Sequence, residues 1–425
     1  MKDNDAQKST KIPARTWFSI ILLGFIGQLA WVVEANWFNT FVFDMVTPDP
    51  APIAWMVATS AVISTATTFL IGTWSDRIGK RKPFLVWGYI LWGLTIALFP
   101  SAVFFQVTGV IVVMVIVFDG VMTALGSTAN DAAYNAWLTD ITDETNRAKV
   151  LGVTSFMPAL ATGITGVIGG IVIDQFGYFV FFYLLGAIVL LAGTLSKPLV
   201  QDNTDLKPSV NGKYWKQVFS IFRWNTVKDN PVLFLLFITI LISGISSQIN
   251  LPYLFIYLEN SIGASKTTIG IVTLLLTLVS GVFAVVMGQF LDRWNRRKTA
   301  LIAGVIASLG VFLFGLLDSV PKIMILGYFY IALGLISGMV TGAWVMDLYP
   351  KTERGGFQGM RMIFQVMLPM VIGPVIGAAV IAAFGVPTVQ NGEAGYIPTA
   401  AIFTVSAMVS LLSLIPILLT KRFED

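Results

Sequence analysis

The chain has 425 residues, 56% of them hydrophobic and only 12% charged, with a formal net charge of +4. A soluble protein carries about twice that charged share, and apolar runs of about 20 residues recur from end to end, so the fold class is an all-α polytopic membrane protein. Cysteine and histidine are both absent, which excludes disulfides, thiol chemistry and Cys-based metal sites and leaves carboxylates to take up protons; no cofactor or catalytic metal is implied.

Residues 1–16 are polar and basic and read as a cytoplasmic tail, with no cleavable leader expected. Twelve transmembrane helices are expected at 17–42, 53–74, 84–104, 108–138, 149–173, 178–196, 231–257, 267–290, 299–317, 322–346, 357–384 and 398–420. They form an N-terminal six-helix bundle (17–196), a central loop (197–230), a C-terminal six-helix bundle (231–420) and a short tail (421–425). Within the loop, Tyr214 to Trp224 has apolar residues at helical spacing and is expected to lie on the membrane surface. Of the 27 Lys and Arg residues, all but Lys266 and Lys322 fall on the side of the two termini. Lys and Arg accumulate in cytoplasmic loops, so both termini are expected inside a plasma (inner) membrane. The basic residues flank membrane helices, so no nucleic-acid partner is implied.

Between the second and third spans stands Gly72-Thr-Trp-Ser75-Asp76-Arg77-Ile-Gly79-Lys80-Arg81-Lys82, and the pattern returns 216 residues later as Gly288-Gln-Phe-Leu-Asp292-Arg293-Trp-Asn295-Arg296-Arg297-Lys298. A second repeat pairs Trp137, Asp140, Arg147 and Gly152 with Trp344, Asp347, Arg354 and Gly359. Two such repeats in equivalent hydropathy contexts mean that the protein is built of two similar halves, as transporters are. Gly72 is expected to let two helices approach closely. Asp76, Arg77, Arg81, Asp140 and Arg147 are expected to form a gating charge network, mirrored by Asp292, Arg293, Asp347 and Arg354. Topology alone accounts for the neighbouring lysines.

Charge inside the membrane is costly and marks function. Glu34 lies in the first span and Asp119 and Asp131 in the fourth. On a straight helix the two aspartates stand about 18 Å apart and about 120° around the axis, so they are not expected to hold one small group together. Glu34 and Asp119, at similar depth, are the candidates for proton or cation coupling. Asp131 is the candidate for substrate, with Tyr134 three residues on and so on the same face, and with Asn130, Trp31 and Asn36 beside it. From the second half, Gln248, Asn250 and Tyr253 are the candidate cavity residues, near the helix-breaking Pro252. Buried polar residues that merely join helices are the bland alternative.

The duplicated Gly-x-x-x-Asp-Arg loops, the six-plus-six layout and the long central loop resemble the major facilitator superfamily. Within it, Ser75-Asp76-Arg77-Ile-Gly79-Lys80-Arg81-Lys82-Pro83-Phe84 and Asp131-Ala-Ala-Tyr134-Asn-Ala-Trp-Leu-Thr-Asp140 resemble the glycoside–pentoside–hexuronide:cation symporters and the sucrose:proton group. The resemblance implies two bundles rocking about a central cavity, a monomer, no enzymatic activity, and a sugar contact at Asp131. Sodium-coupled members hold acids in the second span, where this chain has Ser64, Thr65, Thr67 and Thr68, so a proton is the expected coupling ion. The leading reading is proton-coupled symport of a glycoside or disaccharide. The alternatives are a carrier of lipids, lysolipids or amphiphilic drugs with the same fold, and a sensor that binds without translocating.

Overall fold

A computed structural model describes residues 12–143, 145–202, 228–291, 295–349 and 354–423. Spans one to four are Ala14–Met45, Ala51–Ile78, Lys82–Phe104 and Thr108–Ile141. Spans five and six form one helical run, Arg147–Leu199, of 53 residues, interrupted at Gly177 where φ is 82°. That run would extend about 80 Å if straight, far beyond a bilayer core of about 30 Å, so it crosses twice. The reversal falls at the residue whose missing Cβ permits a positive φ. Span seven is Pro231–Asn260, span eight Lys266–Leu291, span nine Arg296–Phe314, span ten Val320–Asp347, span eleven Gly359–Phe384 and span twelve Ala401–Phe423. Twelve crossings among the described residues put Ile12 and Phe423 on one side of the membrane, called here the terminal side; the opposite face is the far side. The expected surface helix at Tyr214–Trp224 and the residues Asp292 and Arg293 lie outside the described residues.

Each bundle is closed by aromatic packing and by small hydroxyl side chains. In the first, Phe38 stacks on Phe99 at 3.8 Å, and the Trp37 indole donates to the Thr165 carbonyl of span five at 3.1 Å. In the second, Ser246 and Asn250 of span seven bond to Ser406 of span twelve at 2.7 and 2.9 Å, and Ser308 of span nine donates to Ser410 at 2.7 Å. Lipid offers helices no hydrophobic drive to associate, so such polar contacts and close packing hold them. The bundles meet where span five crosses span eight and span two crosses span eleven. At the first crossing the backbones touch: a Cβ on Gly270 would sit 2.0 Å from the Gly166 carbonyl oxygen. Gly72 was expected to play this part, yet a Cβ there would meet nothing within 4 Å among the described residues.

Four spans depart from α-helical geometry in mid-membrane. Span one turns π-helical at Glu34–Phe38, span four at Ser127–Tyr134 and span eleven at Ile363–Met367, while span seven tightens to a 3₁₀ turn at Leu251–Tyr253. Such interruptions frequently mark functional sites and re-aim the side chains that follow them. A two-stranded hairpin, Val386–Gln390 with Glu393–Ile397, joins spans eleven and twelve on the far side. Its turn is Asn391-Gly392, both at positive φ (52° and 80°), the residues that a tight hairpin turn favours.

Candidate functional site

Asp119, Thr123, Ser127 and Asp131 follow one another at four-residue steps down span four, facing Ser60 and Ser64 of span two. Ser60 Oγ donates to Asp119 Oδ2, Thr123 Oγ1 donates to Glu34 Oε1 at 3.0 Å, and Thr123 and Ser60 are 3.1 Å apart. One turn further, Ser127 donates to Ser64 at 2.8 Å, and Ser64 reaches Asp131 Oδ2 at 3.4 Å. A straight α-helix would carry Asp131 about 120° away from Asp119. The π-helical stretch beginning at Ser127 winds fewer degrees per residue and returns Asp131 to the hydroxyl-lined face. The two aspartates therefore belong to one polar ladder without sharing a single ligand position.

Glu34 lies within electrostatic range of both Asp119 and Asp131. Among the described residues none of the three is in an ion pair. Glu34 Oε2 and Asp119 Oδ1 are buried without a hydrogen-bond partner, and the Trp31 indole nitrogen lies beside Asp131. Leaving several ionised carboxylates unpaired in a low-dielectric interior costs several kcal/mol each. This cluster is therefore suited to receive a proton or a cationic group. Ser60, Ser64, Thr123 and Ser127 carried no separate signal in the sequence beyond the four-residue spacing of the last two with the aspartates.

The other candidates divide. Tyr134 donates to the Ile20 carbonyl at 2.7 Å and Asn130 to the Tyr89 hydroxyl at 2.8 Å; both are buried and tie span four to spans one and three. Their polar groups face the bundle interior, where span one presents Gly24 and Gly27 to them. Asn250 is likewise buried, bonded to Ser406 and Tyr330. Tyr253 donates to Pro374 at 3.0 Å and across to the first bundle at Pro50, 3.2 Å, which makes it a contact between the bundles. Trp31, Asn36 and Gln248 are partly exposed, as is Asp131. Trp31 packs on Trp92 with ring centroids 5.1 Å apart.

On the terminal side, a charge network is centred on Arg81. Its guanidinium reaches Asp140 at 2.9 Å, Asp76, and Ser75 at 2.6 Å, while Asp202 caps the backbone N–H groups of Arg81 and Lys82 at 2.8 Å each. Burial opposes the charge on Arg81, but hydrogen bonds and Coulombic attraction from Asp140 and Asp76 outweigh it and hold the guanidinium above its ordinary pKa. Arg77 is exposed, and Arg147 instead bonds within its own turn, to the Thr142 carbonyl at 3.1 Å. Neither occupies the position expected of it, because only the arginine at the mouth of span three projects between Asp76 and Asp140. In the second half, Asp347 pairs with Arg296 at 3.2 Å; the side chain of Arg354 lies outside the described residues. The Asp44, Glu259 and Lys266 cluster on the far side was missed, although Lys266 was one of two basic residues on the unexpected face.

Two bundles of six spans, with broken helices and unpaired carboxylates at mid-depth, define a membrane carrier. The family model of the Major Facilitator Superfamily matches residues 16–246 and 236–425, and the chain belongs to that family. Multidrug resistance protein 2 of Bacillus subtilis (strain 168) is 20% identical over 334 residues, 76% of this chain and 78% of that protein. Multidrug resistance protein 1 of the same organism is 26% identical over 337 residues, 76% and 79% of the two chains. Among solved structures, a D-xylose–proton symporter superposes with a TM-score of 0.72 at 14% identity, covering 95% of this chain and 97% of that one. The nucleoside transporter NupG gives 0.71 at 14% identity, covering 95% and 98%. These structural likenesses establish the fold. The chain is thus a transporter working by alternating access, with a small-molecule substrate and no enzymatic activity.

Proposed function

We propose that this protein exchanges protons for an amphiphilic organic cation across the plasma membrane, with Glu34 and Asp119 binding the proton and Asp131 the substrate. The observation that carries the reading is the set of three carboxylates without a cationic partner among the described residues, bordered by Trp31. A carboxylate inside the membrane is neutralised by a proton or by a cationic group, and competition between the two is the simplest basis for exchange. An indole face adds attraction for a cation. The names of the multidrug resistance relatives accord with such a substrate. Glycoside symport is the second reading. Asp131, held by Ser64, remains available to sugar hydroxyls, but Asn130 and Tyr134 use their polar groups inside the bundle.

The two readings differ in the sign of proton movement. Purified protein in liposomes with an internal pH dye is exposed to quaternary ammonium compounds, which carry no titratable proton, and to a panel of glycosides. Alkalinisation of the interior on adding the ammonium compounds supports exchange. Acidification on adding a glycoside overturns it in favour of symport, and no proton movement with either overturns proton coupling.

A further inference from the structure

On the far side the bundles are joined by one shared ammonium. Lys266, the first residue of span eight, contacts Asp44 Oδ2 of span one at 2.9 Å and also Glu259 of span seven. The Tyr178 hydroxyl, at the start of span six, donates to the same Asp44 oxygen at 2.7 Å. Lys266 is 11% exposed, Asp44 18% and Glu259 24%, and the second oxygen of Glu259 is buried without a partner. Gly170 of span five packs directly on the Lys266 carbonyl, and the backbone N–H and hydroxyl of Thr267 donate to Asp174 at 2.9 and 2.7 Å. The hairpin lies across the same seam: Asn391 donates to the Asp44 carbonyl at 2.8 Å, the Tyr396 N–H to the Pro48 carbonyl at 3.1 Å, and Thr108 to Glu393 at 2.7 Å.

The membership of these groups is asymmetric. Asp44 and Tyr178 belong to the first bundle, Glu259 and Lys266 to the second. Among these four side chains, Lys266–Asp44 is the ion pair that crosses the seam and breaks when the far side opens, along with the Thr267–Asp174 and hairpin contacts. Lys266 departs with Glu259, and Asp44 stays with Tyr178. Neither charge is stranded, so the expense of separating a half-buried ion pair is largely avoided. We infer that Asp44, Lys266, Glu259 and Tyr178 form an exchangeable latch for the far-side gate, in which Asp44 holds the gate shut while Glu259 and Tyr178 make it openable. The inference rests on alternating access and is independent of the substrate and the coupling ion.

The consequence is a pair of opposite effects from two carboxylates on one lysine. Asp44→Asn removes the attraction across the seam and shifts the protein toward the far-side-open state. Glu259→Gln removes the partner that Lys266 keeps on opening and shifts it toward the closed state. Tyr178→Phe deprives Asp44 of its open-state partner and moves the balance the same way as Glu259→Gln. Each shift is expected to be about tenfold in the open-to-closed ratio, the scale of one partly buried ion pair.

The chain has no cysteine, so Gln106→Cys and Leu316→Cys, on exposed far-side positions of the two bundles, accept spin labels without background. Pulsed dipolar spectroscopy in lipid nanodiscs then reads the ratio of long to short distances. A larger long-distance fraction in Asp44→Asn together with a smaller one in Glu259→Gln and Tyr178→Phe supports the latch. Shifts in one common direction, or no shift in variants that melt as the parent does, overturn it. If Asp44→Asn fails to fold, the Glu259→Gln and Tyr178→Phe pair decides alone: both must lose the long-distance fraction.

Discussion

Gly270→Ala separates the two gate states by steric means alone. In the far-side-closed structure, a Cβ at this position would lie 2.0 Å from the Gly166 oxygen, 2.2 Å from its carbonyl carbon and 2.6 Å from the Val167 nitrogen, all backbone atoms that no rotamer change can move. Ordinary contact begins at 3.4 Å, so spans five and eight must part by 3.4 − 2.0 = 1.4 Å at their crossing. Overpacking of this kind costs about 1–3 kcal/mol. The cost applies only while the helices are in contact, so it becomes a bias toward the far-side-open state of about 5- to 150-fold. Gly166→Ala, whose Cβ would stand 3.1 Å from Gly270 Cα, is expected to shift the ratio less, and Gly72→Ala, with nothing within 4 Å, not at all. The Gln106–Leu316 spin pair measures all three. Equal distance distributions in Gly270→Ala and the parent would refute the claim that this crossing is part of the closed gate.

Further expectations follow from the site. Arg81→Ala removes contacts to Asp76, Asp140 and Ser75 and is expected to lower stability by about 1–3 kcal/mol, discounted for the exposure of Asp76. Arg81→Lys recovers little of this, lacking the guanidinium fork, and the exposed Arg77→Ala is expected to be near neutral; thermal unfolding in detergent ranks the three. Tyr134→Phe loses one buried hydrogen bond to Ile20, about 1 kcal/mol of stability, and leaves substrate KM unchanged. Asp131→Asn raises KM by at least tenfold with an unaltered melting temperature. Initial-rate transport across a substrate series distinguishes that pair.

The duplicated Asp-Arg loops, the hydropathy and the one-sided basic residues made the fold legible, because membrane insertion imposes those patterns span by span. The acidic residues were legible for the same reason: their cost in lipid makes them conspicuous. What they face was not. The π-helical turn at Ser127 changes the angular position of every later residue in span four, and nothing in Ser127–Tyr134 announces an extra residue per turn to a reading that assumes 3.6. Asn130 and Tyr134 were therefore assigned to the cavity while they pack inward. The Lys266 latch depends on Asp44, 222 positions earlier in the chain, and on a seam that exists only when the bundles meet. Its one sequence trace was a lysine on the sparsely basic side. The hairpin's turn residues, Asn391-Gly392, stand in the short stretch between two apolar spans.

Proton coupling through Glu34 is tested most directly by comparing driven transport with exchange in liposomes, using Glu34→Gln and an ammonium substrate that the parent accumulates. A carboxamide cannot gain or lose the coupling proton, yet it preserves the shape of the Thr123 contact. The account predicts that the variant loses accumulation driven by a pH gradient while substrate-for-substrate counterflow continues at a rate near the parent's. Undiminished gradient-driven accumulation in Glu34→Gln would contradict it.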